Sequence, residues 1–369
     1  MKTIYLPFLA LCLIIEANTV CAENKASTEI VLNSYITSES FSNILPIKQL
    51  IKDKWQTPPT DSASNAFTQN EIGVSAKWQG FTLNLAHRLD YFIYTNADTA
   101  QAFYLDRSKG FFSQKKYLID LKLQHQASDG IRLGYEWQSN SFFSAIQVGY
   151  WTIQTSRKSQ ISGELSGFSS ATNKNNISGN LQLKEFYSDF NVLRRPNNNS
   201  WNTKGFGATV DIFLAWQLNK QLKLSVAIKD FYSTFKIKGI GYSEGTFDTE
   251  NSYINSLGGQ AFLPLYRGVE TVKNQTFSLP TKTNFIVHYQ AETLNYLFRY
   301  KRQGRINFYA IGGELTLLDS SLLVMVDIER LTPEIQMKKH NFALTFAIDN
   351  ININQARQFN LGFNFNCRF

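Results

Sequence analysis

The chain has 369 residues, a formal net charge of +8 and 14% aromatic residues, with Phe (29) and Tyr (17) dominant. Mean hydropathy is −0.24, and beyond the N-terminal leader no run of about 18 apolar residues occurs, which excludes a transmembrane helix. Of the three cysteines, two fall in that leader, so Cys367 stands alone and neither an intrachain disulfide nor a Cys-rich metal site is available to the mature chain.

Met1 and Lys2 give a basic start, and Ile4 to Ile15 form an apolar run too short to span a bilayer. Val20-Cys21-Ala22 then places small residues where a secretory peptidase cuts, so residues 1–22 read as a signal peptide and the mature chain as beginning at Glu23. Lipidation at Cys21 is the competing reading, and Asn18 and Val20 fit it poorly. Removing Lys2 and Glu16 leaves the charge unchanged. In an exported protein such a surplus suits lipopolysaccharide phosphates or anionic solutes and leaves no role for nucleic acid.

Residues 23–70 read as an irregular N-terminal segment, either a plug or a periplasmic tail. Pro46 opens a short helix with Ile47, Leu50, Ile51 and Trp55 on one face, and Pro58-Pro59 with a Ser/Asn-rich stretch separate it from the first hairpin.

From residue 71 onward the period is two. Ile72, Val74, Ala76 and Trp78 alternate into Gln79-Gly80, and Phe81, Leu83 and Leu85 run back. Ala102–Leu105 is a weak strand candidate. Tyr117 to Leu123 and Ile131 to Trp137 follow, divided by an expected turn at Ser128-Asp129-Gly130. Ile146 to Tyr150, Leu181–Asn191, Val210 to Leu218 and Leu222 to Ile228 come next. The series closes with Phe285 to Tyr289, Leu294 to Tyr300, Tyr309 to Leu317, Leu322 to Ile328 and Phe342 to Ile348. Ser156–Asn180, Arg194–Lys204 and Lys238–Pro280 read as long polar surface loops.

The last strand carries the most specific signal. Leu361, Phe363, Phe365, Cys367 and Phe369 share one face, against Gly362, Asn364, Asn366 and Arg368 on the other. This run resembles the C-terminal insertion signal of Gram-negative outer-membrane β-barrels. The resemblance implies an all-β, antiparallel up-and-down barrel of about fourteen strands, within about twelve to sixteen. It also implies the cell outer membrane as location, with outer-membrane lipid, lipopolysaccharide and the barrel-assembly machinery as partners. In length, N-terminal segment and strand number the chain is similar to the fatty-acid-channel family, whose N-terminus forms a hatch. It lacks that family's Asn-Pro-Ala motif near the N-terminus. A soluble sandwich or propeller would also alternate, but would not need both the leader and the terminal aromatic strand.

If the apolar residues face lipid, the alternate ones face a lumen. Asp120, Lys122, Arg132, Glu136, Asp211, Lys223, Lys229, His288, Arg299, Asp327 and Glu329 are then the candidate lumen residues. On the lipid face a Lys or Arg would cost about 2–4 kcal/mol at mid-depth. These charges line a polar path or bridge a narrow scaffold, and their mixed signs set no ion preference. His87, His125, His288 and His340 sit in no catalytic spacing, and no G-x-S-x-G, H-E-x-x-H or phosphate loop occurs. The sequence therefore points to no catalytic residue, metal or cofactor. Three functions stand open: a channel or passive transporter for small solutes, hydrophobic ones included; a non-conducting structural, assembly or export component; and a surface ligand-binding or adhesion barrel using Lys238–Pro280.

Overall fold

A computed structural model describes residues 29–108, 110, 112–170, 173–189, 204–248, 252–254, 260–262, 265–292, 294–317 and 320–369. The signal peptide and its cleavage site lie outside these residues, as does all of the Arg194–Lys204 loop except Lys204 itself.

The strands are β1 (Val31–Ser42), β2 (Asn65–Trp78), β3 (Phe81–Tyr94), β4 (Lys116–Gln138), β5 (Phe142–Ser170), β6 (Asn173–Tyr187), β7 (Lys204–Gln217), β8 (Leu222–Asp248), β9 (Ser252–Ile254), β10 (Gln260–Phe262), β11 (Leu265–Phe277), β12 (Lys282–Gln290), β13 (Asn295–Gln303), β14 (Ile306–Leu317), β15 (Ser320–Asp327), β16 (Pro333–Lys339), β17 (Phe342–Ile348) and β18 (Gln358–Arg368). Helices α1 (Ile47–Ile51) and α2 (Ala97–Ser108) sit in two connections.

Fourteen strands close an antiparallel ring in the order β1-β2-β3-β4-β5-β7-β8-β12-β13-β14-β15-β16-β17-β18 and back to β1. The remaining long strands, β6 and β11, join the ring only where β5 and β8 continue past it. There β5 pairs β6, β6 pairs β8 and β8 pairs β11. One end of the barrel carries both ends of the ring and short turns such as Gln79-Gly80; the other carries the long connections.

Period-two alternation puts an apolar band outside. Ile72, Val74, Leu83, Leu85, Leu133 and Val148 are all exposed. Trp78, Phe81, Tyr135, Trp137, Trp216 and Tyr289 form a girdle near the short turns, and Tyr150, Phe206, Phe231 and Tyr232 a second one.

The ring departs from the sequence expectation at particular elements. Residues 31–42, assigned above to a plug or tail, are a full barrel strand, so the barrel begins at Val31 rather than at residue 71. Serines hide this strand: Ser34 stands on the outer face between Phe365 and Val74, and the alternation breaks there. β16 was also missed, being short and led by Pro333, which a strand tolerates at its first residue. Ser128-Asp129-Gly130 is no turn; it lies within β4, paired with β3 on one side and β5 on the other. Ala102–Leu105 belongs to α2, whose start is capped by Asn96, with Oδ1 accepting from the Thr99 N–H at 2.8 Å. Of Leu181–Asn191, residues up to Tyr187 are strand and lie outside the ring, while 190–191 fall outside the described residues. Two expected loops are largely strand: β5 and β6 occupy most of Ser156–Asn180, and β8 and β11 most of Lys238–Pro280.

The expected helix after Pro46 is present. Leu50 and Trp55 pack on a cluster of Ile44, Leu45, Ala63, Ala66 and Ala100, while Ile51 turns out to solvent. α2 lays Ala102 and Leu105 against Phe112, Tyr117 and Ile119. Lys115 donates to Asp98 at 2.8 Å and holds that carboxyl below the usual range.

Gly130 exists for close approach. A Cβ there would lie 2.2 Å from Cε3 of Trp151, which is fully buried. Trp151 donates from Nε1 to Thr209 at 2.8 Å and cannot swing away without losing that bond. Gly130→Ala is expected to destabilise the barrel by about 1–3 kcal/mol through overpacking. A urea titration followed by the gel shift of folded against unfolded protein measures this, and an unchanged midpoint would contradict the packing.

Candidate functional site

The inward face of the ring carries most of the strands' charged side chains, together with a set of aromatic ones. Along the barrel axis these side chains form three zones.

At the short-turn end is a vestibule, two adjoining cavities of about 460 Å³ each. They share Asn33, Asn84, Ala145, Gln147 and Phe213 as walls. Lys77 donates to Glu136 at 2.5 Å here, and Lys223 and Arg368 line the same space.

The vestibule ends on ion pairs that cross the lumen. Arg132 on β4 reaches Glu71 on β2, Tyr35 on β1 at 2.6 Å and Asp211 on β7 at 3.4 Å. Tyr35 donates its hydroxyl to Glu71 at 2.6 Å, and Lys229 stands 3.7 Å from the same carboxylate. Arg88 on β3 forks onto Asp230 on β8 at 2.8 and 2.5 Å and also holds Asp90. Lys282 on β12 and Lys301 on β13 both grip Glu39 on β1, from across the ring. Arg299 forks onto Glu334 at 2.5 and 2.8 Å, and Arg330 pairs with Asp327.

The layer is balanced. Arg88, Arg132, Lys229, Lys282, Arg299, Lys301 and Arg330 are seven cations. Glu39, Glu71, Asp90, Asp211, Asp230, Asp327 and Glu334 are seven anions. Buried charges persist only when paired and hydrogen-bonded, and here each carboxylate has its cation. Within the layer is a cavity of about 250 Å³, which shares Glu71, Lys229 and Thr345 with the vestibule.

Above the charges lies an aromatic layer. Phe41, Phe67, Phe92, Trp151, Phe235, Ile237, Ile240, Phe277, Leu279, Ile306 and Phe308 form one buried cluster. Its members come from β1, β2 and β3 on one side and β8 and β14 on the other, so the cluster spans the lumen. Phe41 meets Phe308 edge-on at 5.3 Å, and Phe235 stacks on Phe277 at 5.4 Å. Arg330 joins the two layers, its guanidinium 5.0 Å from the Phe41 ring and 4.4 Å from that of Phe308.

Of the sequence candidates, Arg132, Asp211, Lys229, Arg299 and Asp327 lie in the charge layer. Glu136 and Lys223 line the vestibule, and His288 faces Glu314 at 3.5 Å. Asp120 and Lys122 do not join them. They pair with each other at 3.5 Å, half exposed, where β3 ends: Lys122 lies opposite Tyr94, the last residue of β3, and Asp120 lies past it. Glu329 also stands apart, exposed in the β15–β16 connection beside Arg330. Sequence reading missed Tyr35 and Glu39 with β1 itself. It also missed Glu71, Arg88, Asp90 and Lys301, although each stands beside an apolar or aromatic residue, and Lys282, which lies between two threonines. Asp230 carried no signal, since it sits at a bulge with φ 52°. Among the described residues no group of three or more His, Cys, Asp or Glu could hold a metal ion.

No family model and no curated protein matches the chain. Solved structures give faint likenesses. The toluene transporter TodX of Pseudomonas putida is 10% identical over 92% of this chain and 88% of that one, with a TM-score of 0.37. The ferric-catecholate import receptor Fiu of E. coli K12 is 10% identical over 92% and 66%, at 0.23. The ferric yersiniabactin uptake receptor FyuA of Yersinia pestis is 9% identical over 88% and 58%, at 0.20. At such scores no functional property passes from these proteins to this chain.

Arg88→Met would leave Asp90 and Asp230 buried without their cation and is expected to cost about 3–5 kcal/mol. Lys122→Met breaks only a half-exposed pair and should stay within about 0.5 kcal/mol. Urea titrations of the two variants compare them directly; equal losses would contradict the layered interior.

Proposed function

We propose that this barrel is an outer-membrane channel for the passage of small solutes, represented here in its closed state. The observation that carries the reading is the vestibule: an open space that enters from the short-turn end and continues, through shared walls, into the charge layer. A barrel built only as an anchor gains nothing from such a space. By the usual asymmetry of these barrels the short turns face the periplasm and the long connections the exterior. The outer apolar band and its two aromatic girdles support a place in the outer membrane.

The aromatic layer is the barrier. The charge layer holds space that polar solutes tolerate, whereas the Phe cluster excludes both water and room. A second reading is a non-conducting scaffold, favoured by the equal number of opposite charges in the layer, which fills a lumen with mutually paired groups.

Planar-bilayer recording separates the two. The wild type should show little current, and a Phe41→Ala, Phe67→Ala, Phe308→Ala triple variant should conduct at least severalfold more. A triple variant that migrates as folded barrel on unheated gels yet stays silent would favour the scaffold. Deleting residues 23–60 is no test of a plug, because it removes β1 and opens the ring.

A further inference from the structure

We infer that the vestibule is a binding site for small organic acids with an apolar or aromatic body. The assignment deepens the channel reading and rests on it for the purpose of the site, although the binding itself needs no current.

The register of β5, β7 and β8 arranges the site in steps. At the mouth Gln217 pairs with Lys223. One step inward, on the same face, Phe143 pairs with Ala215 and Ala215 with Ser225. A further step in, Ala145 pairs with Phe213 and Phe213 with Ala227. A cation at the rim is therefore followed by two rings, each beside alanines that leave room. Phe143 and Phe213 meet at 5.6 Å with planes 70° apart, an edge-to-face pair that offers a ring-sized apolar wall.

Lys223 is the group that selects charge. Lys77, on the facing wall, is held by Glu136 at 2.5 Å. Lys223 lines the mouth and makes no ion pair among the described residues. An ammonium at the rim attracts anions and fixes a carboxylate. The rings then bury the remainder of the molecule, the usual division of labour in a small-molecule pocket. A neutral hydrocarbon would leave the rim unused, and a small inorganic anion would leave the rings unused. A cavity of about 460 Å³ accepts a single-ring acid.

Calorimetry on detergent-purified, full-length protein tests this with 3-phenylpropionate as probe, against 3-phenylpropanol and propionate. The acid with the ring should bind, and the alcohol and propionate should each bind about tenfold or more weakly, since each lacks one half of the recognition. Lys223→Met should lose about tenfold for the acid and little for the alcohol, and Lys223→Arg should restore most of it. Phe213→Ala should weaken the acid while leaving gel migration as folded. No binding of 3-phenylpropionate, equal affinity for acid and alcohol, or an unaffected Lys223→Met would overturn the assignment. Because binding is read without conduction, a silent triple Phe variant would sink the channel and leave this site standing.

Discussion

Everything in this molecule depends on β1 meeting β18. A barrel in lipid survives only if each strand finds a partner on both edges, since no water is available to satisfy a free N–H or carbonyl. The seam runs from Val31 opposite Arg368 to Phe41 opposite Gln358, and β2 pairs the other edge of β1 almost throughout. Removing β1 would expose two edges at once. The seam also delivers Tyr35, Glu39 and Phe41 to the interior, and these three touch the charge layer and the aromatic layer together. Closure and the sealing of the lumen thus share one strand.

The interior solves a second problem. Fourteen strands enclose more space than inward side chains fill by themselves. Here the space is divided by chemistry. Ions lie where partners can reach across from opposite strands, and aromatics lie beyond them, packed on glycines. Gly207 makes room for Phe235 as Gly130 does for Trp151, a Cβ at Gly207 falling 2.1 Å from the Phe235 ring. Arg88 and Arg132 lie 5.8 and 5.5 Å from the Trp151 ring and tie the charges to the aromatics above. The vestibule is what remains unfilled, and it is also where Lys223 stands without an ion pair among the described residues.

The barrel was legible in the sequence because lipid enforces a strict alternation, and wherever the membrane relaxes that demand the reading failed. β1 was lost to outward serines that fit between larger neighbours, and β16 to its brevity. The split of β4 and the strand assigned within α2 added spurious strands, so the expected number was reached partly by offsetting errors. The parts of β5 and β8 beyond the ring carry the Ser, Gly and Lys of loops while hydrogen-bonding as strands. Inward charges were legible by parity alone. Which charge meets which was not, since Lys282 and Glu39 are joined by the curvature of the ring and by nothing in local spacing. Parity also placed Asp120 and Lys122 with the lumen, because it carries no information on where along β4 the barrel ends.

The most direct measurement of the closed ring uses the native thiol. Leu32 lies directly opposite Cys367 across the seam. Directly opposed residues of antiparallel strands stand about 4.5–5.5 Å apart, within disulfide range. In outer membranes treated with a mild oxidant, Leu32→Cys should form an intrachain disulfide with Cys367, seen as a reductant-sensitive gel shift. Ser34→Cys, which faces Phe365 instead, should not. Absence of the bond in Leu32→Cys, or its equal formation in Ser34→Cys, would contradict a barrel closed by β1 on β18.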